Sequence, residues 1–127
     1  MDEMIEKYLH AIRLFNEQEF FECHDVLEEI WAESFGDQKT FLQGMIQASV
    51  ALFHFGNENY GGARKLYVSS RERLERFPAE YLGINLLRFV ADFDACFQEL
   101  LETKDGYPSG IELREERIPV IHLVDEE

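Results

Sequence analysis

Phe20-Phe21-Glu22-Cys23-His24-Asp25-Val26-Leu27-Glu28-Glu29-Ile30-Trp31, followed by Phe41-Leu42-Gln43-Gly44-Met45-Ile46-Gln47 and on to His54, is the stretch that decides the fold of this chain. A helix turns about 100° per residue. On that wheel Phe20, Phe21, Cys23, Val26, Leu27, Ile30 and Trp31 form a broad apolar arc. Glu22, Asp25, Glu29 and Glu33 fall outside it, on the side meant for water. His24 and Glu28 fall inside it, one turn apart. The second segment is apolar nearly all round, the mark of a buried helix. Its polar exceptions, Gln43, Gln47 and His54, line up within about 40° of one another. A polar group taken out of water costs roughly 1–3 kcal/mol unless it finds a partner. The pattern therefore predicts that His24, Glu28, Gln43, Gln47 and His54 are largely buried and meet in one hydrogen-bonded cluster.

Helical spacing continues on both sides. Ile5, Tyr8, Leu9, Ile12 and Phe15 predict a helix over about 2–16, and Asn16-Glu17-Gln18 a short turn. The second helix covers 19–34 and ends at Gly36. The third covers about 38–55 and ends at Gly56-Asn57. Asn59 can cap a fourth, which runs to Phe77 and is stopped by Pro78. A fifth covers about 83–103, with Leu86, Phe89, Phe93, Phe97 and Leu100 inward. Residues 104–110 read as a loop rich in turn formers. Ile118-Pro119-Val120-Ile121-His122-Leu123-Val124 is β-branched and extended in character. With no partner strand foreseen, it should be an arm on the bundle or on a second subunit. The expected fold is all-α: a compact bundle of about five helices, two helical hairpins plus a further helix. Residues 1–106 form the bundle domain and 107–127 the C-terminal arm.

A weak repeat underlies this. Sliding the chain by 40 residues lays Phe15-Asn16-Glu17-Gln18-Glu19-Phe20 on Phe55-Gly56-Asn57-Glu58-Asn59-Tyr60. Two such helix–turn–helix units are too few for a solenoid and suit a compact bundle.

Composition narrows the function. The net charge of −14 repels phosphate backbones and anionic lipid, so neither nucleic acid nor membrane is an expected partner. No apolar run approaches the roughly 18 residues of a membrane span. The acidic start lacks the basic region and apolar core of a secretory signal, and the expected address is the cytoplasm. Cys23 and Cys96 lie in apolar helical patterns and read as buried reduced thiols. Arg64, Lys65, Arg71, Arg73 and Arg76 crowd one segment. They read as a solvated helix face pairing with nearby acids, with a small-anion or acidic-peptide site as the sharper reading.

Phe15-Asn16, the Phe21–Trp31 stretch, Phe41–Gln47, His54, Gly56-Asn57 and Gly61-Gly62-Ala63-Arg64-Lys65-Leu66 together resemble the family catalogued as domain of unknown function 309. The resemblance covers about residues 10–76. It implies a small all-helical bacterial or archaeal domain, and no established reaction, substrate or cofactor. The family's motif positions fall on Glu22, His24, Glu28, Trp31, Gln43, Gly44, Gln47 and His54.

Three chemistries suit the polar set. Glutamine and neutral histidine both donate and accept, so the five groups can satisfy one another and fix helix register. A small-ligand pocket would use Trp31 and nearby phenylalanines as walls and the glutamines for specificity. A metal site on His24, Glu28 and His54 is a weaker reading than the network, because glutamine is a poor ligand and the zincin pattern is absent. No nucleophile or phosphate-binding loop is evident, and Gly61-Gly62-Ala63 reads as a place of close helix approach. No cofactor is called for. The expectation is a non-catalytic binding or scaffold module that uses the surface of the second to fourth helices for a protein partner, with a homodimer as a further option. The alternative is a metal- or small-molecule-dependent enzyme using His24, Glu28 and His54.

Overall fold

The computed structural model describes residues 2–103 and 111–126. It contains α1 (Glu3–Asn16), α2 (Phe20–Ala32), α3 (Gly36–Gly56), α4 (Tyr60–Leu74), β1 (Glu80–Tyr81), β2 (Ile84–Asn85) and α5 (Leu86–Glu102). Side chains set three of the starts. Asp2 accepts from the amide of Met4 at 2.9 Å, Asn59 from Gly62 at 3.1 Å and Asn85 from Arg88 at 3.1 Å. Each satisfies a donor that the first helical turn leaves free. The expected loop over 104–110 lies outside the described residues.

The helices follow the apolar periodicity closely, with two corrections. Gly36 does not end the second helix; it opens α3 with φ +59°, a conformation glycine takes without strain. The fifth helix starts at Leu86 rather than 83, because residues 80–85 form a two-stranded hairpin. Glu80 pairs with Asn85 and Tyr81 with Ile84, antiparallel.

α1 packs on α2, α2 on α3 and α3 on α4, so α3 lies between α2 and α4. α5 closes the inner side through aromatic contacts. Phe89 meets Phe15 of α1 with ring centres 5.5 Å apart, Phe97 meets Phe55 of α3 at 5.1 Å, and Tyr67 of α4 stacks on Phe97 at 4.8 Å. Phe15, Phe41, Phe89, Phe93 and Phe97 are fully buried, and burying such a side chain stabilises by about 1.5–3 kcal/mol. Close approach of α3 and α4 rests on Gly44. A Cβ there would lie 2.7 Å from Leu74 Cδ2, and Ser70 donates to the Gly44 carbonyl at 2.7 Å.

The C-terminal segment lies on the bundle, and it does have a strand partner. Leu123 bridges to Ile84, Asn85 donates to the His122 carbonyl at 2.9 Å, and Val124 donates to the Gly83 carbonyl at 2.9 Å. The hairpin at 80–85 was unforeseen because its strands are two residues long, too short for a period-two pattern to register. Asn16 grips the arm from the other side. Its side-chain amide donates to the Ile121 carbonyl at 2.9 Å, and its oxygen accepts from the Ile121 amide at 2.7 Å. Pro119 and Ile121 are buried beneath these bonds.

Candidate functional site

The motif residues share the outer side of α2, α3 and α4, though not as a closed cluster. α3 presents Gln43, Gln47, Val50 and His54, all half-buried, at spacing 4, 3 and 4. α4 presents Gly62, Leu66, Ser69 and Arg73, all half-buried, at the same spacing. α2 presents Phe21, His24, Glu28 and Trp31. Residues so spaced share one helix face. Two contacts fix the register of α3 against α4. Arg73 donates to Gln47 Oε1 at 3.2 Å, and a Cβ on Gly62 would stand 3.1 Å from His54 Cδ2. Phe21 fixes α2 against α3 by meeting Phe53 with ring centres 5.4 Å apart.

The polar residues pair in three separate places. His24 donates from Nδ1 to the Phe21 carbonyl at 2.7 Å, and its Nε2 lies 3.3 Å from Glu28 Oε1, an attraction only when the ring is protonated. Gln47 takes its hydrogen bond from Arg73. His54 Nδ1 accepts from Asn59 Nδ2 at 3.3 Å, while the oxygen of that amide caps α4. Gln43 is half-buried at the far end of the strip.

The expectation of a largely buried common cluster is thereby corrected. His24 keeps 18% of its side-chain exposure, but Glu28 keeps 54% and Glu22 is exposed. The physical reason is that α3 is covered on two flanks and not on the third. The helix wheel marks where polar residues sit, but not whether a further element caps them. Among the described residues, no three of His, Cys, Asp and Glu come together in a way that could hold a metal ion.

Several contributors were not assigned to this face from sequence. Asn59 and Arg73 supply the partners of His54 and Gln47. Val50 and Leu66 give the middle of the strip its apolar character. The signal that could have found them is the row 62/66/69/73, which repeats the spacing of 43/47/50/54. Phe21 and Phe53 remain 50% and 37% exposed side by side, an aromatic pair flanked by His24 and His54.

The basic cluster of α4 is dispersed. Arg64 donates to the carbonyls of Leu100 at 3.0 Å and Thr103 at 3.3 Å, where cations suit the end of α5. Arg71 pairs with Asp94 at 2.6 Å. Gly62 is needed where His54 crosses, whereas Gly61 faces open space.

This geometry defines an all-helical domain of two antiparallel hairpins with an open face across α2, α3 and α4. Residues 8–66 match the family model described as "Domain of unknown function (DUF309)", the family whose resemblance was read from the motifs over about residues 10–76. Among curated relatives, "Uncharacterized protein YpuF" of Bacillus subtilis (strain 168) is 34% identical over 105 residues, covering 80% of this chain and 57% of that protein. An "Uncharacterized protein" of Aquifex aeolicus (strain VF5) is 27% identical over 92 residues, covering 72% of this chain and 26% of that protein. The chain thus spans just over half the length of the first relative and about a quarter of the second. No helix among the described residues is long and apolar enough to cross a membrane.

Proposed function

We propose that this chain is a non-catalytic, cytoplasmic binding module that holds a segment of a partner protein against the outer face of α2, α3 and α4. The observation that carries the reading is the adjacent exposed pair Phe21 and Phe53, set at one end of a strip on which Gln47 and His54 are already paired with Arg73 and Asn59. Exposed aromatics with a polar surround are what interfaces enrich, because they bury large area at low entropic cost. The strip offers Val50 and Leu66 at its middle, and Gln43, Gln47, Ser69 and Arg73 beyond. The acids Glu22, Asp25 and Glu28 of α2 are exposed and favour a partner with basic residues. Two buried free cysteines, Cys23 and Cys96, suit a reducing compartment.

The test is a photo-crosslinking amino acid placed at position 53, with position 101 on α5 as control, in the organism's own extract. One discrete partner should be captured from 53 and not from 101, and lost on adding Phe21→Glu. Equal capture from both positions would remove the reading.

A further inference from the structure

A second concavity, separate from the face just described, lies between the start of α1, the α2–α3 junction, the hairpin turn and the end of the arm. Its volume is about 540 Å³, inside the roughly 300–1,000 Å³ of small-molecule sites. Leu9, Ile30 and Leu42 line it together with the more exposed Ile5. Its carboxylates are Asp2 and Asp125, and no cationic side chain is among its lining residues.

Leu82 is the second observation. β1 and β2 are joined by Leu82-Gly83, both with positive φ, 45° and 77°. A two-residue hairpin turn of that kind takes Asn, Asp or Gly at its first position, because a side chain in left-handed backbone is strained. Leucine sits there instead, and its side chain lines the concavity. Its carbonyl is held by the Tyr8 hydroxyl at 2.9 Å. Strain kept at a cavity rim points to a use for the side chain that causes it.

We infer that this groove binds a small apolar molecule bearing a cationic head, of the alkylammonium class. The hydrocarbon lies on Leu9, Ile30 and Leu42 under Leu82, and the ammonium faces Asp2 and Asp125. Asp2 also caps α1, whose amino end carries only a partial positive charge against two full carboxylates. An acid of the same chain length meets repulsion at the same rim.

The experiment titrates octylammonium, octanoate and octanol separately into the full chain and follows backbone amide shifts. Octylammonium should bind with shifts centred on Leu9, Ile30 and Leu82, and octanoate about ten-fold more weakly. Asp2→Asn, which keeps the helix cap, combined with Asp125→Asn should erase that preference. Leu82→Asn should hold or raise the melting temperature while weakening octylammonium. Octanoate binding as well as octylammonium would overturn the charge assignment. Shifts elsewhere, or no binding of any of the three at millimolar concentration, would overturn the site. A Leu82→Asn variant that melts lower and binds unchanged would show that Leu82 serves the fold alone.

Discussion

Gln18 and Glu58, forty positions apart, hold the same left-handed backbone, with φ 65° and 61°. The same three bonds close both turns. Glu17, Gln18 and Glu19 donate to the carbonyls of Arg13, Phe15 and Leu14, as Asn57, Glu58 and Asn59 donate to those of Phe53, Phe55 and His54. The six-to-one and five-to-two bonds are those of a Schellman helix end. The weak repeat in the sequence is therefore a repeat of turn geometry.

Gln18→Gly and Glu58→Gly should each stabilise the protein by about 0.5–1 kcal/mol, since glycine takes left-handed backbone without the side-chain penalty. The two residues line one concavity, so the double variant also reads whatever coupling exists between the turns. Urea midpoints of the singles and the double decide this. Lower midpoints for the glycine variants would show that the native side chains contribute something the turn geometry does not reveal.

Gly44→Ala should cost about 1–3 kcal/mol, because its methyl would be driven against Leu74. Gly61→Ala, in the first turn of α4 with open space beside it, should stabilise by up to about 1 kcal/mol. The opposite signs are the test, read by thermal melts of the two variants.

Glu28→Ala should change stability by less than about 1 kcal/mol, as for other exposed ion pairs. The sequence alone suggested a larger loss. A midpoint shift well beyond that, measured against Glu29→Ala, would mean Glu28 is more enclosed than its 54% exposure indicates.

Burial pushes the Cys23 thiol up from 9.0 to about 11, against a lowering contact with Ser49, and the Cys96 thiol up to about 12. A folded pKa above the unfolded one means stability is fully present below pH 9 and is lost as pH rises toward 11–12. Denaturation midpoints should fall across that window, and less steeply in a Cys96→Ala background. Iodoacetamide at pH 8 should leave both thiols unmodified in the native protein and label both in urea.

The helices were legible because each buries one apolar stripe, and a stripe repeats often enough to be read. Phe89, Phe93, Phe97 and Leu100 announce α5 unaided. The hairpin was not legible: Tyr81 and Ile84 are single inward residues, and Leu82 breaks the rule by which such turns are recognised. In the site, the helix phases of Gln43, Gln47 and His54 were right and their mutual contact was not. The partners of Gln47 and His54, Arg73 and Asn59, come from the next hairpin arm, and a wheel drawn for one helix does not contain its neighbour.

The grip of Asn16 on Ile121 joins residues 105 positions apart, whereas the hairpins join neighbours. Chain closure over that distance is entropically slow to reward, so the bundle should form first and the arm should dock afterwards. The clamp then acts as a latch on the exit from the native state. Asn16→Ala should leave the refolding rate nearly unchanged and speed unfolding. The lifetime of the folded molecule is thus set at the end of the chain least involved in building it.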